Sequence, residues 1–412
     1  MINKMTSNIF LFLTILLAPL YVLRFKLGPL PTTLLEALIG LTVLSFILER
    51  LIASDSLTHW KKRLASPFTW PALALLAVSL IAVIVSPSHY QAFGLWRAYF
   101  LEPVVIYIIL LSKLTESHFT KLFLIAWFGS ATWIAAIAIA QKIYAVLHPS
   151  LYDNPRLNRP EAVFNSANDV ALFVGPLAAF SVALVRLHKA LIVIILLLFT
   201  AIWISGSRGG MVGLGSVELL LLLALLWRQL SPRWQKVSLQ ISAALVVIAL
   251  AVSAALFFNL GTYQAPPQTT YQRPYIDTAV GRVCVWQATR NMLLDHPILG
   301  VGIGGFHLSY PQYRTCNAED LQYPHNIFLN IWAELGLAGL AAFAWIYFIA
   351  IRLITRSSGH WVIKTAFLGA LVYSLIHGLV DAPYFKNDLS LEFWILLAAI
   401  AAFQQNKPSF TK

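Results

Sequence analysis

A chain of 412 residues that is 59% hydrophobic and only 11% charged, with a mean hydropathy of +0.74, lies outside the composition of water-soluble domains, which are roughly 45–50% apolar. This excludes a soluble globular protein and fits an integral membrane protein. The formal charge of +12 calls for no nucleic acid, because inner-face lysines and arginines beside anionic lipid account for most of such an excess.

Apolar runs near the ~20 residues that cross a bilayer as a helix recur from end to end. They predict an all-α integral membrane protein with about 12 transmembrane helices, forming a single polytopic membrane domain over 1–412. In chain order the spans fall at 8–24, 30–49, 68–86, 97–112, 120–147, 169–186, 188–204, 208–228, 237–258, 324–353, 361–380 and 389–404. Residues 8–24 are read as the first span rather than a signal peptide, since no small-residue cleavage motif follows. With both termini cytoplasmic, the inner connections include ERLIASDSLTHWKKR, KLTESHFTK, RLHK, WRQLSPRWQK and RLITRSSGHWVIK, and with the tails they hold more than half of the 29 basic residues. The remaining basic residues fall on the outer side, many of them inside motif-like stretches.

Two outer loops stand out by length: 148–168, rich in Asn, Pro and Arg, and 259–323, a large extracytoplasmic loop between helices 9 and 10 of this count. Cys284 and Cys316 are the two cysteines and both lie in the second loop, where an oxidising compartment would permit a disulfide and two unpaired thiols are the alternative. Residues 281–294 suit a helix at the outer surface, with Val283, Val285, Trp286, Met292 and Leu293 as apolar contacts. The following GVGIGG formally matches a dinucleotide-binding fingerprint, but no strand precedes it, so a flexible loop is expected instead.

Four stretches could carry chemistry. SGSRGG, 205–210, puts Arg208 at a helix start, where unpaired N–H groups and the helix dipole attract phosphate; a tight turn whose arginine reaches lipid headgroups is the alternative. GRVCVWQATR supplies Arg282 and Arg290, about 80° apart around a helix, able to converge on one diphosphate or to face headgroups. His325, followed by Asn326, opens the tenth span, where an imidazole can take a proton from an alcohol near neutral pH or simply cap the helix. Glu334, about 13 Å deeper and near the opposite face, is expected to make a structural hydrogen bond. HGLVDAPYF places His377 and Asp381 four apart on one helical face, where the acid could orient an imidazole or bind an acceptor sugar. Ten scattered histidines without H-x-x-E-H or H-E-x-x-H give no metal site and no cofactor is expected.

Taken in order, SRGG at Arg208, GR-x3-W at Arg282 and Trp286, P-x2-G-x-G at Pro297 to Gly302, and HN-x2-L-x4-E-x-G from His325 to Gly336 resemble the O-antigen ligases, with the related O-antigen polymerases and bacterial protein O-oligosaccharyltransferases. The resemblance covers an O-antigen ligase-like core region at 165–390. It implies a metal-independent, inverting glycosyltransferase of the GT-C type in the bacterial plasma (inner) membrane, its active site facing the periplasm or exterior. The implied donor is an undecaprenyl diphosphate-linked glycan; the acceptor is a hydroxyl on lipid A core, another glycan or a protein. Carried onto this chain, His325 would be the catalytic base, and Arg208, Arg282 and Arg290 would hold the diphosphate. Asp381, Asn326 and His377 would orient groups or meet the acceptor. Asn165 and Asn168 in FNSAND resemble the family's Asn-containing start of a span, without its usual proline. A twelve-helix secondary transporter competes, as does an inactive scaffold; the transporter would call for related halves and midplane polar residues, whereas here the polar groups gather at the outer ends.

Overall fold

The computed structural model describes residues 2–28, 30–52, 66–149, 159–185, 188–189, 191–237, 240, 255, 279–314 and 321–405. Nearly all of the expected span at 237–258, much of the 259–323 loop and Cys316 lie outside the described residues. Within them the chain is mostly helical. Among the described residues six helices are long and apolar enough to cross a membrane: His89–Lys113, His118–Leu147, Ala167–Leu184, Arg208–Trp227, Ile327–Arg356 and Trp361–Gly378.

The helices are α1 (Ile2–Leu16), α2 (Leu34–Ile52), α3 (Thr69–Val85), α4 (His89–Lys113), α5 (Ser117–Leu147), α6 (Ala167–Leu184), α7 (Leu191–Ser205) and α8 (Arg208–Trp227). After them come α9 (Ala279–Asp295), α10 (Gly305–Tyr313), α11 (Ile327–Arg356), α12 (Trp361–Gly378) and α13 (Asn387–Gln405). α6 lies at the centre, buried along nearly its whole length and packed on α12, α7 and α8. At the end of the bundle away from residues 377–386, the fully buried Lys113 pairs with Glu49 and donates to Ser7.

Three elements depart from the sequence expectation. The span expected from residue 30 starts at Leu34, because residues 30–33 form a strand: β1 (Arg24–Leu27) pairs antiparallel with β2 (Leu30–Thr33), so the fold is not purely α. Pro31 favours extended backbone, and the reciprocal bonds between Thr33 and Glu36 then cap α2 as a Thr-x-x-Glu box. The span expected at 97 begins at His89 and passes through a π-helical stretch, Arg97–Leu101. Tyr384 donates to the Tyr99 carbonyl inside that stretch at 2.9 Å, supplying a partner where the regular ladder is disturbed.

The third departure is GVGIGG, which is a built joint rather than a flexible loop. α11 breaks at Gly336 (φ 69°, ψ −171°), and residues 297–304 fill the break. Leu337 N–H donates to Ile298 O at 3.0 Å, Val301 N–H to Ala333 O at 2.6 Å, and Trp332 Nε1 to Pro297 O at 2.7 Å. Gly304 supplies a backbone N–H to Glu334, so the acid anchors the loop to α11. On its far side the loop meets α3, where Ile303 N–H donates to Ala82 O at 3.2 Å and Ser86 Oγ donates to Ile303 O at 2.8 Å.

Gly300, Gly302 and Gly304 all have left-handed φ, at 67°, 82° and 68°, a conformation that costs an L-residue about 1–2 kcal/mol. A Cβ on Gly300 would also overlap the Ala333 carbonyl, whereas one on Gly28, equally left-handed at φ 62°, would meet nothing within 4 Å. Gly300→Ala is therefore expected to destabilise the detergent-solubilised protein by more than the ~1 kcal/mol of Gly28→Ala, a difference that paired denaturation curves would resolve.

Candidate functional site

The site gathers where α12 ends. α12 stops at Gly378, which packs against Ile327 at the start of α11, and residues 379–386 continue as a loop. His377 and Asp381 therefore do not share a helical face, contrary to the expectation from their spacing. His377 is the last buried turn of α12 and Asp381 lies beyond it.

Asn326 caps α11. Its side-chain oxygen accepts from Phe328 N–H at 3.0 Å and Leu329 N–H at 3.1 Å, and its amide donates to Leu379 O at 3.0 Å. These three bonds give Asn326 a structural task, satisfying open helix donors and fastening α11 to the 379–386 loop. His325 precedes the cap with left-handed backbone, φ 50°, and its Nδ1 lies 3.2 Å from Asp381 Oδ1. The His325 side chain is 18% exposed and that of Asp381 3%, so one face of the imidazole remains reachable while the carboxylate is enclosed. Burial alone would raise the Asp381 carboxyl; the hydrogen bond from His325 and the neighbouring His325, His377 and Arg282 side chains outweigh it and hold the group well below the usual carboxylate range.

α9 explains why GR-x3-W is spaced as it is. Arg282 and Trp286 lie one turn apart. Arg282 Nη1 donates to Val380 O and, at 3.4 Å, to His325 O, while Trp286 Nε1 donates to Pro324 O at 3.0 Å. The motif thus grips the chain on both sides of the imidazole. On its other side α9 buries Cys284, Val285, Ala288, Met292 and Leu293, several of them in a small second core with Phe306 and Tyr310 of α10. Arg290, farther along α9, hydrogen-bonds to its neighbour Asn291 at 3.3 Å and does not join the carbonyls that hold Arg282.

Arg208 begins α8 and is exposed. The preceding Ser207 caps the helix, accepting from Gly210 N–H at 3.3 Å, and its Oγ lies 3.3 Å from His377 Nε2. Gly209 leaves no room for a side chain, since a Cβ there would stand 2.5 Å from His377 Cδ2 and 2.7 Å from Val380 Cγ2. His377, 1% exposed, is thus a prop beneath the SRGG turn. Segment 377–381 is the common surface: His377 and Val380 meet the turn of Arg208, Val380 O holds Arg282, and Asp381 holds His325.

Several charged residues of this region were not singled out from the sequence. Arg159 fastens the outer loop to the SRGG turn, donating to Ser205 O and to Asn168 Oδ1, both at 2.8 Å. Lys386 pairs with Asp169, an acid in the first turn of α6. A carboxylate inside a span is an expensive placement that asks for a partner, and that was the signal available in FNSAND. Among the described residues no group of three or more His, Cys, Asp or Glu is disposed to hold a metal ion.

Comparison with known families gives a match over residues 193–344 to the family described as O-antigen ligase. Over these residues the chain is similar to the O-antigen ligase family. The O-antigen ligase match takes in Arg208, Arg282, Arg290, His325 and Asn326 and ends before His377 and Asp381. No curated protein sequence matches the chain. The match and the apolar helices together point to a multi-pass membrane protein, and the matched family is one of O-antigen ligases.

The depressed carboxyl of Asp381 stabilises the folded protein at every pH above the ordinary aspartate range, and this contribution is lost only as pH falls through its lowered folded value. Asp381→Asn is expected to lower stability by about 1.5–3 kcal/mol at pH 7, the range for hydrogen bonds to charged groups. The gap from wild type should persist to pH 5 and narrow only in stronger acid, which melting curves across that range would record.

Proposed function

We propose that the protein is an inverting glycosyltransferase that moves a glycan from an undecaprenyl diphosphate carrier to an acceptor hydroxyl on the extracytoplasmic side of the plasma membrane. His325 is the base. Its Nδ1 is occupied by Asp381, which fixes the tautomer and leaves Nε2 to accept the proton of the incoming alcohol. The alcohol oxygen attacks the anomeric carbon from the face opposite the carrier, the bond from that carbon to the phosphate oxygen breaks, and undecaprenyl diphosphate leaves. Charge develops on the leaving diphosphate, where a fixed guanidinium is worth most. Arg282, already beside the imidazole, and Arg208, exposed at a helix start, are assigned to it.

The single observation that carries this reading is the convergence of the Arg208 turn, Arg282 and His325 on the five residues 377–381. Arg290 is given a lesser part, since its hydrogen bond turns toward Asn291. Asp381 orients the imidazole, and His377 and Asn326 hold the scaffold. The anionic leaving group needs no proton donor, so the mechanism calls for no second carboxyl.

The purified protein in proteoliposomes, given lipid diphosphate-linked glycan, should transfer it to one of three acceptor classes: lipid A core, glycan or protein hydroxyls. His325→Ala is expected to reduce turnover by about 10²–10⁴, as loss of a general base does, and Arg282→Ala by about 10²–10³. Undiminished transfer by both folded variants would refute the residue assignment, and ion-driven substrate uptake without any transfer would put a transporter in its place.

A further inference from the structure

Nothing in the proposed chemistry uses Tyr323, Lys386 or Asp169, yet they form a chain, buried at Asp169 and half-buried at the other two, that ends on the imidazole. Asp169 is 4% exposed and sits in the first turn of α6, where the helix dipole favours a carboxylate. Lys386 Nζ pairs with its Oδ1. The same ammonium hydrogen-bonds to the Tyr323 hydroxyl, and Asp388 and Tyr21 also face it. Tyr323 in turn sets its ring against His325, with centroids 4.8 Å apart and planes at 62°, within the favourable range for edge-to-face aromatic contact.

The arrangement answers a mechanical need. The hydrogen bond to Asp381 holds one atom of the His325 ring, which leaves the ring free to rock about that contact. A base must present its lone pair within roughly 10–20° of the productive direction, and the exposed imidazole edge receives no other support from the 379–386 loop. The tyrosine ring supplies a second, flat restraint, and the ion pair fixes the tyrosine.

We propose that Tyr323 and Lys386 are positioning residues for His325: Lys386, anchored on Asp169, holds the Tyr323 hydroxyl, and the tyrosine ring keeps the imidazole with Nδ1 on Asp381 and Nε2 toward the acceptor. This rests on the assignment of His325 as base. The lysine gives the intramembrane acid its partner, since Asp169 is the carboxylate in direct contact with the ammonium.

The test uses the full-length protein in nanodiscs, with ¹⁵N-histidine NMR reading the His325 tautomer and donor-dependent kinetics reading KM and kcat separately. In wild type His325 should show a single Nδ1–H tautomer. Tyr323→Ala is expected to mix the tautomers and lower kcat by about tenfold or more, with donor KM within about twofold. Tyr323→Phe keeps the ring and should recover most of the loss, while Lys386→Met should resemble Tyr323→Ala and Lys386→Arg should restore function. Should Lys386→Met fail to fold, the two conservative variants with Tyr323→Ala still decide the matter. A folded Tyr323→Ala protein with an unchanged tautomer overturns the proposal even where His325→Ala is inactive. A mixed tautomer in Tyr323→Ala beside an active His325→Ala protein upholds the positioning and removes the base assignment instead.

Discussion

The carbonyls left open where α12 ends govern the arrangement of the site. Past Gly378 the chain is no longer helical, so its last backbone acceptors have no N–H following in the helix to serve them. Leu379 O is satisfied by the amide of Asn326, and Val380 O by the guanidinium of Arg282. Those donors come from α11 and α9, elements distant in sequence, and each brings a neighbour of chemical interest: His325 beside Asn326, and Arg282 itself. The two acceptors left by the end of α12 are thus the points on which the constellation is assembled.

A second joint gives that assembly its rigidity. The break in α11 at Gly336 opens backbone groups that residues 298 and 301 complete, while Glu334 takes an N–H from Gly304. Glycine is required at this contact because backbone approaches backbone at a separation that excludes Cβ. α11 is thus held both at its cap and one short segment below it, which fixes the backbone from which the imidazole hangs.

The sequence was readable where chemistry and punctuation coincide. HN at 325–326, GR-x3-W and SRGG could each be found because they place a charged or titratable group beside a helix start, a glycine or an aromatic residue at helical spacing. Membrane class followed from composition, and eleven of the expected spans correspond to helices among the described residues, with shifted ends. The hairpin at Arg24–Thr33 was missed because two short strands flanked by long apolar helices leave no lasting alternation. His377 and Asp381 were misread as a helical pair because an i, i+4 spacing implies a shared face only while the helix continues, and Gly378 ends it. Lys386, Asp169 and Arg159 belong to contacts that join separate regions of the chain, so no local pattern announces them.

The glycine joint also reaches α3, through Ser86 and Ala82. A helix from the first quarter of the chain thereby bears on the element that carries the imidazole, although it supplies no reactive group. In a lineage of such proteins, substitutions at Ser86 would be judged together with those at Gly302, whose absent side chain is what admits the Ser86 backbone. Inheritance at the two positions would be epistatic, and chimaeras exchanging the N-terminal third between homologues would fail at this seam even with every reactive residue intact.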